Sequence, residues 1–148
     1  MHAVIAHSFG VPCTLLALQQ RRFARRVVAF SSPATLDGIM GRFQEMLALS
    51  PRTVQLLRDR LARRFGDDLW TRFSAEDMAR SMDLPALVIH DRDDRDIPFG
   101  DGEAIARAWP RAEFLGTNGL GHRRILRDPD VIERVVQSLH REGHGDGS

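Results

Sequence analysis

The sequence contains no lysine and no tyrosine, and it has a single cysteine. All 21 of its basic residues are arginines, which excludes Schiff-base lysines and the lysine of phosphate-binding loops. The absence of tyrosine excludes tyrosine as a general acid. Because Cys13 stands alone, no internal disulfide can form, and zinc or iron–sulfur sites built on cysteines are not expected. We expect Cys13 to fill a small space in the core.

Long apolar runs and a basic leader segment are missing as well, and the net charge is only +1. We therefore expect no signal peptide, no membrane association and no nucleic-acid partner, and we expect a cytoplasmic location. The 148 residues suggest one domain or a large part of one, and the 43% of hydrophobic residues suffice for a core.

Short apolar runs alternate with longer segments of helical periodicity. Four runs predict strands, namely 3–6, 27–30, 86–89 and a shorter one at 113–115. Continuous apolar strands with helices between them predict an α/β fold with a parallel sheet covered on both faces. Ser50, Ser74 and Asp128 stand where helices are expected to begin, and each is a favourable N-cap residue.

The segment between the second and third strands is longer than one crossover helix requires. It contains helical patterns and no strand, which predicts an inserted helical cap over residues 32–84. The remaining divisions are residues 1–31, which include the first strand and its turn, and residues 85–142, which complete the α/β core. Residues 143–148 are expected to be a disordered tail.

Ser8 lies in the stretch Ala6-His7-Ser8-Phe9-Gly10, between the first strand and a helix expected to begin near Phe9. Such a turn holds its central serine in strained backbone geometry, and small residues two positions before and after would avoid crowding. The helix N-terminus offers free N–H groups to a developing oxyanion. A helix N-cap serine after a strand is the alternative, and it is common. We expect His7 to line the pocket.

A serine nucleophile needs a base and an orienting acid. The stretch HDRDDRDIP follows the third strand and supplies four aspartates, and GLGHRRIL supplies His122 after the fourth. The order Ser, Asp, His is one of the known orders of the hydrolytic triad. The aspartates could instead form a solvated loop or bind a cation, although no calcium-loop pattern is completed.

These three stretches together resemble the α/β-hydrolase fold serine hydrolases, in their carboxyl-terminal portion. The resemblance implies a partial hydrolase fold of about four parallel strands, with Ser8 as nucleophile, His122 as general base and Asp94 as acid. In that family the acid usually lies four residues before a proline, here Pro98. Asp93 is the second choice for the acid and Asp37 the third. The resemblance also implies that Phe9 N–H is an oxyanion donor, that the substrate is a small acyl compound such as a carboxylic ester, and that no metal or cofactor is needed.

Members of the family have several strands before the nucleophile turn, and a loop among them donates the other oxyanion N–H. Only seven residues precede Ser8 in this sequence. We therefore expect the Ser8 strand at an exposed sheet edge, where the chain would dimerise, bind a partner chain or be poorly stable. The alternative to an active hydrolase is a truncated, weak or inactive remnant that acts at most as an interaction module.

A different class of function is suggested by the arginine-rich helix of residues 51–65. A basic amphipathic helix can bind nucleic acid, but it is more often a solvated face. The near-zero net charge and the lack of a second helix at turn spacing disfavour nucleic-acid binding.

Overall fold

A four-stranded parallel sheet lies at the centre of the computed structural model, which describes residues 2–140. The strands are β1 (Ala3–His7), β2 (Arg26–Phe30), β3 (Ala86–Asp91) and β4 (Ala112–Thr117). They lie side by side in chain order, and each neighbouring pair is parallel. The predicted fold class is confirmed.

Helices fill the segments between and after the strands. They are α1 (Gly10–Gln20), α2 (Leu36–Met46), α3 (Pro51–Phe65), α4 (Leu69–Arg72), α5 (Ala75–Arg80), α6 (Phe99–Ala108), α7 (Gly121–Arg124) and α8 (Pro129–His140). Ser50, Ser74 and Asp128 begin α3, α5 and α8 as predicted. Each side chain accepts a hydrogen bond of 3.1 Å from the backbone N–H three residues later, which satisfies a donor that the first helical turn leaves free.

Both faces of the two central strands are covered by helices. One face packs against α1, α5 and α6, and its strand residues are Val27, Ala29, Ala86 and Val88. The other face packs against α8, and its strand residues are Val28, Phe30, Leu87 and Ile89. Because alternate side chains point to opposite faces of a strand, burial on both sides explains why these sequence runs are apolar without interruption.

Helix α1 contradicts one expectation. Val11, Leu15 and Leu18 face the core from it, whereas Cys13 is exposed. The prediction that Cys13 fills the core is wrong. At 3.6 residues per turn, position 13 points away from the side shared by positions 11, 15 and 18.

The segment predicted as a cap contains α2 to α5, and these helices differ in burial. α5 belongs to the core, because Ala75, Met78 and Ala79 are buried in the cluster that α1 and α6 also form. α3 has no buried residue. Its Arg58 stacks over Trp70 at 4.0 Å and pairs with Asp37 on α2. The boundaries given above for the cap and the two core segments stay predictions.

Strand β1 pairs with β2 alone among the described residues, so its other edge is unpaired there. The side chain of Ile5 is 57% exposed on this strand. The edge position of the Ser8 strand is as predicted, and a dimer or partner chain at this edge stays a prediction. No helix in residues 2–140 is long and apolar enough to cross a lipid bilayer. The predicted tail at 143–148 lies outside the described residues.

Candidate active site

Ser8 occupies the tight turn between β1 and α1. Its φ of 55° is in the left-handed region, which is rarely adopted by a residue other than glycine. Two hydrogen bonds hold this geometry: Ser8 N donates to Phe30 O on β2 at 2.9 Å, and Val11 N donates to Ser8 O at 3.1 Å. The strained serine of a strand–turn–helix element is therefore present.

Crowding does not explain the glycine two positions after Ser8. A Cβ atom built at Gly10 would meet nothing within 4 Å outside the local helix backbone. Gly10 begins α1 and is exposed, which places its missing side chain in open space. None of the described residues would clash with a larger side chain at position 10. The prediction that this position must be small to avoid crowding is therefore wrong.

Phe9 is the N-cap residue of α1. Among residues 2–140, no acceptor binds its backbone N–H, which is the usual state of an N–H group at a helix start. Its ring stacks on Phe73 with centroids 6.0 Å apart and an interplanar angle of 4°. The side chain is thus held by the segment after α4, while the N–H beside Ser8 stays free to bind an anion.

Asp94 lies in the loop after β3, and its side chain is fully buried. Its Oδ2 atom is 2.8 Å from His122 Nδ1. Its Oδ1 atom accepts hydrogen bonds of 2.9 Å from the backbone N–H groups of Asp96 and Ile97. The loop therefore fixes one carboxylate oxygen and presents the other to the imidazole.

These bonds also determine the charge of Asp94. Burial is the largest single effect and would raise the pKa of this carboxyl, but the hydrogen bonds from Ile97 N, His122 and Asp96 N together lower the pKa below its ordinary value. Asp94 is therefore ionised at neutral pH. Since a carboxylate can only accept, His122 carries its proton on Nδ1.

The two other candidate acids are placed elsewhere. Asp93 Oδ2 accepts a hydrogen bond of 2.7 Å from Gly119 N. Asp37 pairs with Arg58 on the surface of the helical segment. Of the three aspartates weighed from the sequence, Asp94 is the one that contacts the His122 ring.

His122 stands at the start of α7, and it contacts the residue before Ser8. His7 Nε2 donates to His122 O at 2.9 Å, and the two ring centroids are 4.6 Å apart. The structure thus joins Asp94 to His122 and His122 to His7, and Ser8 is the next residue in the chain. No hydrogen bond joins Ser8 to His122 among the described residues. Such bonds are often long without substrate and tighten when substrate is bound.

A cavity of about 450 Å³ opens beside Ser8. Its walls are mostly apolar, and α2 supplies much of them through Leu36, Ile39, Phe43 and Met46. Phe43 and Met46 are exposed side chains on the side of α2 that lines this cavity. Met40 of the same helix is buried instead. His7 does not line this cavity, contrary to expectation, because its ring turns toward His122.

One trio of side chains has the spacing of metal ligands. Asp94, Asp96 and His122 offer atoms that lie within 4.8 Å of one another. The Nδ1 atom of His122 is already bonded to Asp94, so an ordinary hydrogen bond accounts for their closest approach. The trio gives no reason to infer a metal.

Solved structures resemble the fold of this chain over nearly its whole length. An α/β hydrolase from the metagenome of sediments of the Mar Chica lagoon, Morocco, matches with a TM-score of 0.63 and 18% identity, over 95% of this chain and 61% of that one. An esterase from Rhodococcus matches with a TM-score of 0.62 and 17% identity, over 93% and 64%. An esterase from Pyrococcus furiosus matches with a TM-score of 0.63 and 21% identity, over 97% and 54%. The chain has a partial α/β-hydrolase fold.

This hydrolase fold is what the resemblance predicted from the sequence. The identities of 17–21% establish the fold, and the chain spans 54–64% of the length of these three proteins. No protein-family model and no curated protein matches the sequence. Chemistry on this hydrolase fold must therefore be argued from its own residues.

Sequence reasoning missed two features of the site. It assigned no role to Asp91 or Thr117, which are paired in register between β3 and β4, and it did not expect His7 to bond to His122. The only available signal was the run of aspartates after β3, together with the two glycines that flank the loop before His122.

Proposed function

We propose that the chain carries the nucleophile, base and acid of a serine hydrolase that cleaves carboxylic esters. The hydrogen bond of 2.8 Å between His122 Nδ1 and buried Asp94 is the observation that most supports this proposal. Nucleophilic acyl transfer requires a serine served by a histidine that an ionised carboxylate orients. Here the histidine bonded to Asp94 contacts His7, the residue that directly precedes the strained Ser8.

The roles follow from the proton positions. With Nδ1–H donated to Asp94, the lone pair of His122 is on Nε2, which accepts the proton of Ser8 Oγ as that oxygen bonds to the acyl carbon. The negative charge moves to the carbonyl oxygen, and Phe9 N–H at the start of α1 is the donor that we assign to it. The carbonyl then re-forms, the bond between the acyl carbon and the alcohol oxygen breaks, and the protonated imidazole gives its proton to that departing oxygen, which leaves Ser8 acylated. Water completes the cycle by the same steps on the acyl-enzyme.

The cavity beside Ser8 supports an apolar acyl group as the substrate class. Its volume of about 450 Å³ and its aliphatic and aromatic walls fit a hydrocarbon chain better than a sugar or a charged acid. Arg42 and Asp96 also line it, and the guanidinium of Arg42 donates to Arg95 O. The charged end of Arg42 is thus already hydrogen-bonded within the protein.

Hydrolysis of p-nitrophenyl butyrate by the purified chain tests the proposal. We expect turnover by the wild type, and a loss of at least about 10³-fold in Ser8→Ala and His122→Gln. Ser81→Ala is the matched control, because Ser81 bonds to Met78 O at the end of α5. Turnover that survives in Ser8→Ala, or a folded wild type without turnover, would contradict the proposal and leave the inactive remnant as the better account.

A further inference from the structure

Asp91 is a fully buried carboxylate at the carboxyl end of β3. Both of its oxygens accept two hydrogen bonds. Oδ1 accepts from Asp93 N and Gly121 N, each at 2.9 Å. Oδ2 accepts from Thr117 Oγ1 at 2.6 Å and from Leu120 N at 3.1 Å.

These four bonds connect the two loops that bear the proposed acid and base. Asp93 immediately precedes Asp94, and Gly121 immediately precedes His122. Thr117 ends β4 and begins the loop that leads to His122. The carboxylate of Asp91 therefore fixes the backbone next to Asp94 and next to His122, and it forms no hydrogen bond with either side chain.

The loop before His122 has a shape suited to this carboxylate. Gly119 and Gly121 have φ values of 76° and 65°, a conformation that glycine adopts without strain. The consecutive N–H groups of residues 119, 120 and 121 all bind carboxylates at the end of β3 or just after it: the first binds Asp93 and the other two bind Asp91. Successive N–H groups arranged in this way form a concave anion site.

We propose that Asp91 is a positioning residue, whose carboxylate binds the backbone N–H groups before His122 and so sets the alignment of His122 with Asp94. This inference rests on the proposed function, since it gives Asp91 a role in the same triad. Asp94 orients the imidazole ring, His7 binds the carbonyl of His122, and Asp91 holds the chain that enters His122.

A carboxylate is specifically required by this geometry. Four donors converge on two oxygens, and an ionised carboxylate has acceptor capacity for all of them. In Asp91→Asn one oxygen becomes an NH₂ group. If that NH₂ group faces Thr117, the Thr117 hydroxyl can rotate and accept a hydrogen bond from it. Leu120 N then has no acceptor, and the negative charge of the carboxylate is gone.

The experiment follows the imidazole of His122 by NMR in protein labelled with ¹⁵N-histidine, with the signal assigned by its absence in His122→Gln. The rate at which a fluorophosphonate labels Ser8 is measured on the same samples. The variants are Asp91→Asn, Thr117→Val and Thr117→Ser, and melting temperatures are recorded for each. Asp83→Asn is the control, because Asp83 pairs with Arg22 on the surface before β3 begins, at the opposite end of that strand.

In folded Asp91→Asn we expect the Nδ1–H signal of His122 to shift or vanish and labelling to slow by about 10-fold to 100-fold. Thr117→Val should change the His122 signal and the labelling rate in the same direction but by less. Thr117→Ser and Asp83→Asn should match the wild type in both measurements. A purely structural role would lower the melting temperature and leave the signal and the labelling rate per folded molecule unchanged, which would overturn the proposal.

Two outcomes separate this inference from the proposed function. If the wild type is never labelled but its His122 signal depends on Asp91, the positioning role stands and the hydrolase proposal fails. If Asp91→Asn does not fold, Thr117→Val decides: a changed His122 signal supports the role of Asp91, and an unchanged signal overturns it.

Discussion

His7 and His122 are held together by a hydrogen bond of 2.9 Å from the ring of one to the carbonyl of the other, with the two rings in contact. His7 directly precedes Ser8, so this bond joins the nucleophile turn to the loop of the base. Burial lowers the pKa of His7 below its ordinary value, more than the hydrogen bond to His122 O raises it. His7 is therefore neutral at neutral pH and donates through Nε2.

Loss of the bond between His7 and His122 should make the position of His122 less well fixed, while His122 itself stays in place as the proposed base. In His7→Ala we expect ester hydrolysis to fall by about tenfold, because a small displacement of a catalytic group has a large effect on rate. His7→Gln, whose amide can donate to the same carbonyl, should recover part of the loss. His2→Ala is the matched control. Equal rates in His7→Ala and wild type would show that the bond does not position His122.

The identity of the acid is tested by two neighbouring aspartates. In Asp94→Asn we expect kcat to fall by about 10³-fold to 10⁴-fold, because the amide no longer holds the Nδ1–H tautomer. Asp93→Asn should change kcat little, since the asparagine oxygen can still accept from Gly119 N. Steady-state kinetics on both variants decides the assignment, and a larger loss in Asp93→Asn would reverse it.

Acid should destabilise the fold through Asp91. Burial would raise the pKa of this carboxyl, but hydrogen bonds from Thr117, Gly121, Leu120 and Asp93 together lower it. A depressed folded-state pKa means that the folded form binds fewer protons than the unfolded form. The resulting stability is present above the unfolded-state pKa of about 4 and is lost as the pH falls through the folded-state pKa. Melting temperatures measured from neutral pH downward should therefore drop less steeply in Asp91→Asn than in wild type, and parallel curves would contradict this assignment.

The apolar cavity beside Ser8 predicts a preference for longer acyl chains. Each methylene that becomes buried contributes up to about 0.8 kcal/mol, so kcat/KM should rise from acetate to butyrate to hexanoate esters of p-nitrophenol. Ile39→Phe fills part of the cavity and should move the preference toward acetate. Ile132→Phe, on the exposed side of α8, should leave the profile unchanged. A flat profile in the wild type would argue against this cavity as the acyl site.

The elements that the sequence predicted well are those with a local signal. β2 and β3 were found from uninterrupted apolar runs, because both their faces are buried. The strained turn at Ser8 also has a local signal, because a strand, a serine and a helix start follow one another directly. The family pattern predicts the pairing of Asp94 with His122, whereas the residues alone leave all four aspartates after the third predicted strand as candidates.

What could not be predicted depends on register and orientation. The bond between Asp91 and Thr117 exists because β3 and β4 align these two positions side by side, and nothing in either stretch encodes that register. The outward direction of Cys13 depends on which side of α1 meets the sheet. The open space at Gly10 depends on where that helix begins relative to β1.

The central claim is that Ser8 is the hydroxyl activated by His122 and Asp94. Its most direct test is peptide mass spectrometry of the chain after reaction with a fluorophosphonate. We predict a single adduct on the peptide ending at Arg21, mapped to Ser8, which is abolished in His122→Gln. An adduct on another serine, or one on Ser8 that forms as fast without His122, would contradict the account.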